Sequence, residues 1–156
     1  MYSNTHIEME TIRSKAYNQD DLPKAELIKT DQEWKEQLKD EETFSVCRKS
    51  DTECAFCDGS LHDHKEKGIY NCICCDQPLF SSDNKFNSGT GWPSYFSPIK
   101  EDAVIYARED PSEDSYFEIK CSKCHSHLGH VFDDGPRNET GLRYCINSVC
   151  LKFEKD

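Results

Sequence analysis

At 156 residues the chain suits one domain with a modest core. Its 30 acidic and 19 basic side chains give a net charge of −11, which argues against non-specific nucleic-acid binding and against an anionic membrane surface. No apolar run is long enough for a transmembrane helix and the start, MYSNTHIEMETIRSK, lacks the apolar stretch of a secretory leader; in a reducing cytosol, 10 cysteines then point to metal binding and catalysis rather than to a static disulfide framework.

Residues 1–50 are polar and lack glycine. Residues 1–25 show no clear periodicity and read as a flexible tail or a loosely packed arm, leaving residues 26–156 as a single domain. Thr30-Asp31-Gln32-Glu33 is a capping-box sequence ahead of Trp34 and Leu38, which share a helix face, and Asp40 can cap a second short helix carrying Phe44 and Cys47. Residues 31–48 therefore read as two short helices packing through Trp34, Leu38, Phe44 and Val46. From Gly68 onward short aromatic and β-branched runs alternate with turn residues, DPSEDS and DDGPRNETG among them, and predict a mainly β, antiparallel body of about six to eight strands.

Two CxxC pairs, Cys72/Cys75 and Cys121/Cys124, lie at the ends of predicted strands. Thiolates two residues apart can turn toward one ion, and two such pairs complete a tetrahedral S4 shell that suits one structural zinc ion with no open position. The alternatives are core thiols, or disulfides in an oxidising compartment. Cys74, between the first pair, points away in an extended chain and is not counted as a ligand.

GLRYCINSVCLKF reads as a strand, with Arg143, Cys145 and Asn147 on one face. A guanidinium beside a thiol favours the reactive thiolate. The plain alternative is a buried strand cysteine. HLGHVFDDG places His127 and His130 three apart, and Gly129 could permit a bulge that turns both imidazoles to one site as proton donors. His6, His62, His64 and His125 have no comparable context and read as surface residues. In SGTGWPSYF two glycines bracket Thr90 and allow a tight turn presenting Trp92, which could wall a small apolar pocket or simply sit in the core.

KFNSGTGWPSYF, HLGHVFDDGP and GLRYCINS, together with the CxxC pairs, closely resemble the B-type methionine-R-sulfoxide reductases, over about Thr30 to Phe153. The resemblance implies two antiparallel sheets, arranged like a tent, with short N-terminal helices, and reduction of the R epimer of methionine sulfoxide in peptides. It makes Cys145 the nucleophile and matches His127, His130 and Asn147 to positions that organise water and protonate the sulfoxide oxygen. Trp92 matches the wall against the substrate methyl group, Arg143 and Asp134 match polar positions that shape the site, and Cys72, Cys75, Cys121 and Cys124 match zinc ligands. In the implied reaction the Cys145 thiolate attacks the sulfoxide sulfur, becomes a sulfenic acid, and closes a disulfide with a second thiol that an external dithiol protein such as thioredoxin reopens.

Many relatives carry that second thiol where Thr90 stands here. TECAFCDG offers Cys57, favoured, then Cys54, in a segment that Asp58-Gly59 would make mobile. Cys47, Cys74 and Cys150 are expected to pack or serve as spare thiols. The expectation is a cytoplasmic, monomeric enzyme. The competing class is a zinc-stabilised protein-binding module in which Cys145 is merely buried.

Overall fold

The computed structural model describes residues 5–156, with side chains from Glu8 onward, so His6 falls outside the side chains described. Among the described residues there are three α-helices, all within the first 49 residues, and ten strand segments in two sheets. Helix α1 (Thr5–Lys15) leads to a two-residue strand β1 (Tyr17–Asn18). Helix α2 (Asp31–Leu38) starts at the expected box: Thr30 Oγ1 accepts from the Glu33 amide and the Glu33 carboxylate accepts from the Thr30 amide. Helix α3 (Glu41–Lys49) is capped by Asp40, which accepts from the Thr43 amide. Trp34 and Val46 are fully buried, Leu38 and Phe44 partly so, and Arg48 lies over the Trp34 ring 4.3 Å from its centroid.

The larger sheet orders its strands β1-β6-β7-β8-β9-β5-β4, where β4 is Lys85–Phe86, β5 Ser94–Tyr95, β6 Val104–Arg108, β7 Phe117–Cys121, β8 His127–Phe132 and β9 Arg143–Ile146. The smaller sheet orders β10-β2-β3, with β2 Gly68–Cys72, β3 Pro78–Ser81 and β10 Leu151–Lys155. Every pairing is antiparallel except that of β1, which runs parallel to the outer edge of β6. Aromatic rings join the two sheets, with Phe80 stacked on Tyr95 at 4.3 Å and Tyr70 meeting Tyr95 at 5.4 Å, and within the larger sheet the Tyr106 and Tyr144 hydroxyls lie 2.7 Å apart.

Two segments differ from the sequence reading. From Thr5 on, the expected N-terminal tail is a helix whose Met9 and Ile12, three apart on one face, are buried. Arg13 donates to the Asp114 carbonyl and Gln19 to the Glu118 carboxylate, so the segment is tied to β6 and β7 by polar contacts that no local pattern reveals. GLRYCINSVCLKF is not one strand. After Ile146 the Asn147 amide donates to the Leu128 carbonyl, the chain takes a single helical turn over Ser148–Cys150, and β10 resumes in the other sheet. This turn sends Cys150 into the core, 3.3 Å from Cys47.

Candidate active site and cysteine centre

The two CxxC pairs close identical turns. The Asp76 amide donates to Cys72 O and the His125 amide to Cys121 O, and the residue after each second cysteine takes a positive φ, 65° at Asp76 and 60° at His125. Each turn aims two sulfurs across the gap between the sheets. Cys72 lies 3.7 Å from Cys124 and Cys75 lies 3.5 Å from Cys121, and all four ligand atoms fall within 4.8 Å of one another. Tetrahedral thiolates about 2.3 Å from an ion would be about 3.8 Å apart, so the donor set fits a metal ion. Cys74 is buried beside Ser126, outside this set. His125 is partly buried at its turn, and His64 packs edge-on against Phe153 and shares a hydrogen bond with the Tyr70 hydroxyl; neither is the free surface residue that its sequence context suggests.

The second cysteine site is built by sheet register. Cys145 pairs across strands with His130 on one side and Ser94 on the other, and His130 pairs in turn with Glu118. Cross-strand partners share a face, so these four residues form a row. Gly129 makes the approach possible, because a Cβ there would stand 2.0 Å from the Cys145 carbonyl oxygen. The register of β7 and β8 shifts beside it, passing from Ile119↔Gly129 to Lys120↔His127. That irregularity brings the His127 and His130 rings to a centroid separation of 5.6 Å, where a regular strand would turn them apart.

The imidazoles have different settings. His127 is 2 % exposed; its Nδ1 lies 2.5 Å from Glu118, while its Nε2 has no partner. Burial alone would raise the Glu118 carboxyl, but the His127 hydrogen bond, Lys120 and Gln19 outweigh it and hold the group at about 2. Glu118 is thus ionised and accepts from His127 Nδ1–H. His130 is partly exposed and its Nε2 lies 2.5 Å from Glu109.

A cavity of about 290 Å³ opens over Cys145, lined by Trp92, His130, Phe132, Arg143, Asn147 and Thr90 among others. Trp92 is held by its indole N–H donating to the Glu53 carbonyl. Asn147 braces the same segment: Oδ1 accepts from the Glu53 amide and Nδ2 donates to the Leu128 carbonyl. Arg143 grips Asp134 with two hydrogen bonds, at 2.8 and 3.2 Å, and lies over the Phe132 ring. Arg143 does lower the Cys145 thiol, as the sequence suggests, but burial keeps it from becoming acidic. Burial pushes the Cys145 thiol up and Asp134 adds to the rise; Arg143 and the Thr90 hydroxyl pull it down without reversing it.

Cys54 and Cys57 are joined as a disulfide, the only one among the described residues. Cys54 is exposed, whereas Cys57 is partly buried in a neighbouring cavity with Glu53, Leu61 and Ser148, not in the Cys145 cavity. Glu118, Glu109 and Glu53 escaped the sequence reading. Glu118 alone carried a local signal, as a charged residue alternating with Phe117 and Ile119 along FEIK.

A family profile described as the SelR domain matches residues 39–155, and the chain belongs to that family. Its curated relatives are named peptide methionine sulfoxide reductase MsrB. That of Pseudomonas syringae pv. syringae is 54% identical over 125 residues, covering 80% of this chain and 93% of its own length. That of Pseudomonas putida is 51% identical, covering 81% and 92%, and that of Leptospira interrogans serogroup Icterohaemorrhagiae serovar Lai is 48% identical, covering 84% and 98%.

Proposed function

We propose that this protein is a peptide-methionine (R)-S-oxide reductase in which Cys145 takes the oxygen from the substrate. The observation that carries this reading is a free Cys145 thiol facing a cavity, with His130 directly across the sheet and Trp92 on the opposing loop. A sulfoxide oxygen leaves poorly until it is protonated. Because burial raises the free thiol, the reactive thiolate forms with substrate in place, its proton passing to the sulfoxide oxygen by way of water. His130 donates to that oxygen, and Asn147, which already braces the wall, completes the polar side. The Cys145 thiolate attacks sulfur, oxygen moves to the enzyme, methionine leaves, and Cys145 is a sulfenic acid. Trp92 receives the methyl group, so methyl and oxygen occupy different environments and the R epimer is selected. Arg143 and Asp134 fix the rim of the cavity.

Cys57, in preference to Cys54, resolves the sulfenic acid, and thioredoxin returns the resulting disulfide to thiols. Cys72, Cys75, Cys121 and Cys124 hold zinc, whose chemistry here is to tie distant turns together. The enzyme acts on oxidised peptides and proteins, as a monomer in the cytoplasm, with residues 26–156 as its catalytic domain. No helix among the described residues is long and apolar enough to cross a membrane. The direct test is epimer-resolved consumption of a methionine-sulfoxide peptide with dithiothreitol. Loss of the R epimer alone, abolished in Cys145→Ser, is expected; an untouched R epimer with the native protein would refute the reading.

A further inference from the structure

In a two-cysteine cycle the nucleophile ends locked in the disulfide and cannot act again until a reductant arrives. The arrangement here is different. The closed disulfide joins Cys54 and Cys57, with Cα atoms 5.4 Å apart, inside the range such bonds span. Cys145 is meanwhile a free thiol lining an open cavity. The segment carrying the pair is pinned along the site. The Glu53 amide donates to Asn147 Oδ1, the Glu53 carbonyl accepts from Trp92, and the Phe56 amide donates to Gly91 O at 2.9 Å. Gly91 could be no other residue, since φ is +91° and a Cβ there would meet the Phe56 ring at 2.6 Å. The segment carrying both sulfurs therefore runs beside the Cys145 cavity, which its Thr52 lines, while neither cysteine lines it and Cys54 stands exposed to solvent.

We infer that Cys54 and Cys57 form a relay pair: both are oxidised in each cycle, and their mutual disulfide, not a disulfide of Cys145, is the species the external reductant meets. The inference rests on the proposed sulfoxide reduction and deepens it. The Cys57 thiolate attacks the sulfenic sulfur of Cys145; an S–S bond forms, the S–O bond breaks, and the oxygen leaves as water after taking a proton. The Cys54 thiolate then attacks the Cys57 sulfur. The Cys54–Cys57 bond forms, the Cys57–Cys145 bond breaks, and Cys145 departs as a thiolate ready to attack again. Two electrons from the pair reduce one sulfoxide to methionine, and an external dithiol protein returns two electrons to the pair. Beyond the pinned Phe56, Asp58 and Gly59 are exposed, Gly59 has a φ of +79° and open space where a Cβ would stand, and it is this turn that lets Cys57 move toward Cys145 while the chain up to Phe56 stays in place. The closed pair corresponds to the end of the relay, with the substrate cavity clear.

The stoichiometry without reductant tests this. Fully reduced protein, freed of dithiothreitol, is mixed with excess R-sulfoxide peptide, and methionine formed per protein is counted while thiols are mapped by alkylation and mass spectrometry. The relay predicts two methionines per protein, the first leaving the Cys54–Cys57 disulfide and the second a Cys145 sulfenic acid. With one equivalent of peptide, Cys145 should be alkylated and the Cys54/Cys57 pair should not. Cys54→Ser should give one methionine, half the native count, with a trapped Cys57–Cys145 disulfide. One methionine from the native protein with Cys145 in a disulfide would overturn the relay while leaving sulfoxide reduction intact. No methionine at all would instead overturn the proposed function.

Discussion

Two sulfur sites lie in this small fold, and their surroundings set them apart. The four-cysteine centre is closed: each sulfur has three others within 4.8 Å, and three of the four residues are buried. Four thiolates at that spacing repel one another unless a cation sits among them. The Cys145 site is open, with one thiol in a cavity whose surrounding polar side chains already have partners, Arg143 with Asp134, His127 with Glu118 and His130 with Glu109. The same side-chain chemistry is thus spent on holding the fold in one place and left available in the other. The difference comes from backbone geometry: two identical turns converge on one point, whereas a central strand gives Cys145 only cross-strand company.

The comparison is broken most severely at Cys145. Cys145→Ser should lower R-sulfoxide turnover by at least about 10³-fold while thermal unfolding stays near the native midpoint. The reverse pattern belongs to the other site. Cys121→Ser should lose the bound ion, read by elemental analysis, and lower the unfolding midpoint by at least about 10 °C. A Cys121→Ser protein as stable as the native one would mean that the cluster does not hold the fold.

Glu118 links the site to the pH dependence of stability. Its folded value of about 2 lies below the ordinary 4.5, so its contribution is present above pH 4.5 and is lost as the pH falls from there toward 2. That contribution is of the order of 3 kcal/mol. Glu118→Gln should flatten this part of the acid-unfolding curve, and an unchanged curve would show that the His127, Lys120 and Gln19 contacts do not stabilise the anion.

The smallest effect concerns the thiol itself. Because burial and Asp134 raise Cys145, its alkylation rate should climb with pH beyond the range of an ordinary thiol. Asp134→Asn removes a repelling charge and frees Arg143, and should speed iodoacetamide alkylation at pH 7 by about two- to five-fold. Slower alkylation would reverse the assigned sign of Asp134.

What could be read from the sequence divides along the same line. The metal centre was legible because its two halves are local: Cys72 and Cys75 share one turn, Cys121 and Cys124 another. Both helix caps were legible for the same reason, with donor and acceptor three residues apart. Cys145 and the two histidines were visible through Gly129 and through the resemblance of their segments to a known family. Their electrostatics were not. Glu118 reaches the histidines only by strand pairing, Glu109 only from the loop that follows β6, and Asp134 pairs with Arg143 across a hairpin. Helix α1 was missed because two apolar residues on a polar helix are too weak a pattern, although Met9 and Ile12 are buried and Arg13 and Gln19 tie the segment down.

The most direct test of the central claim is to trap the oxygen on sulfur. In a Cys54→Ser, Cys57→Ser protein, one exposure to an R-sulfoxide peptide in the presence of dimedone should yield one methionine and one adduct, located by peptide mapping at Cys145. Methionine formed with the adduct on another cysteine, or with none on Cys145, would contradict the account.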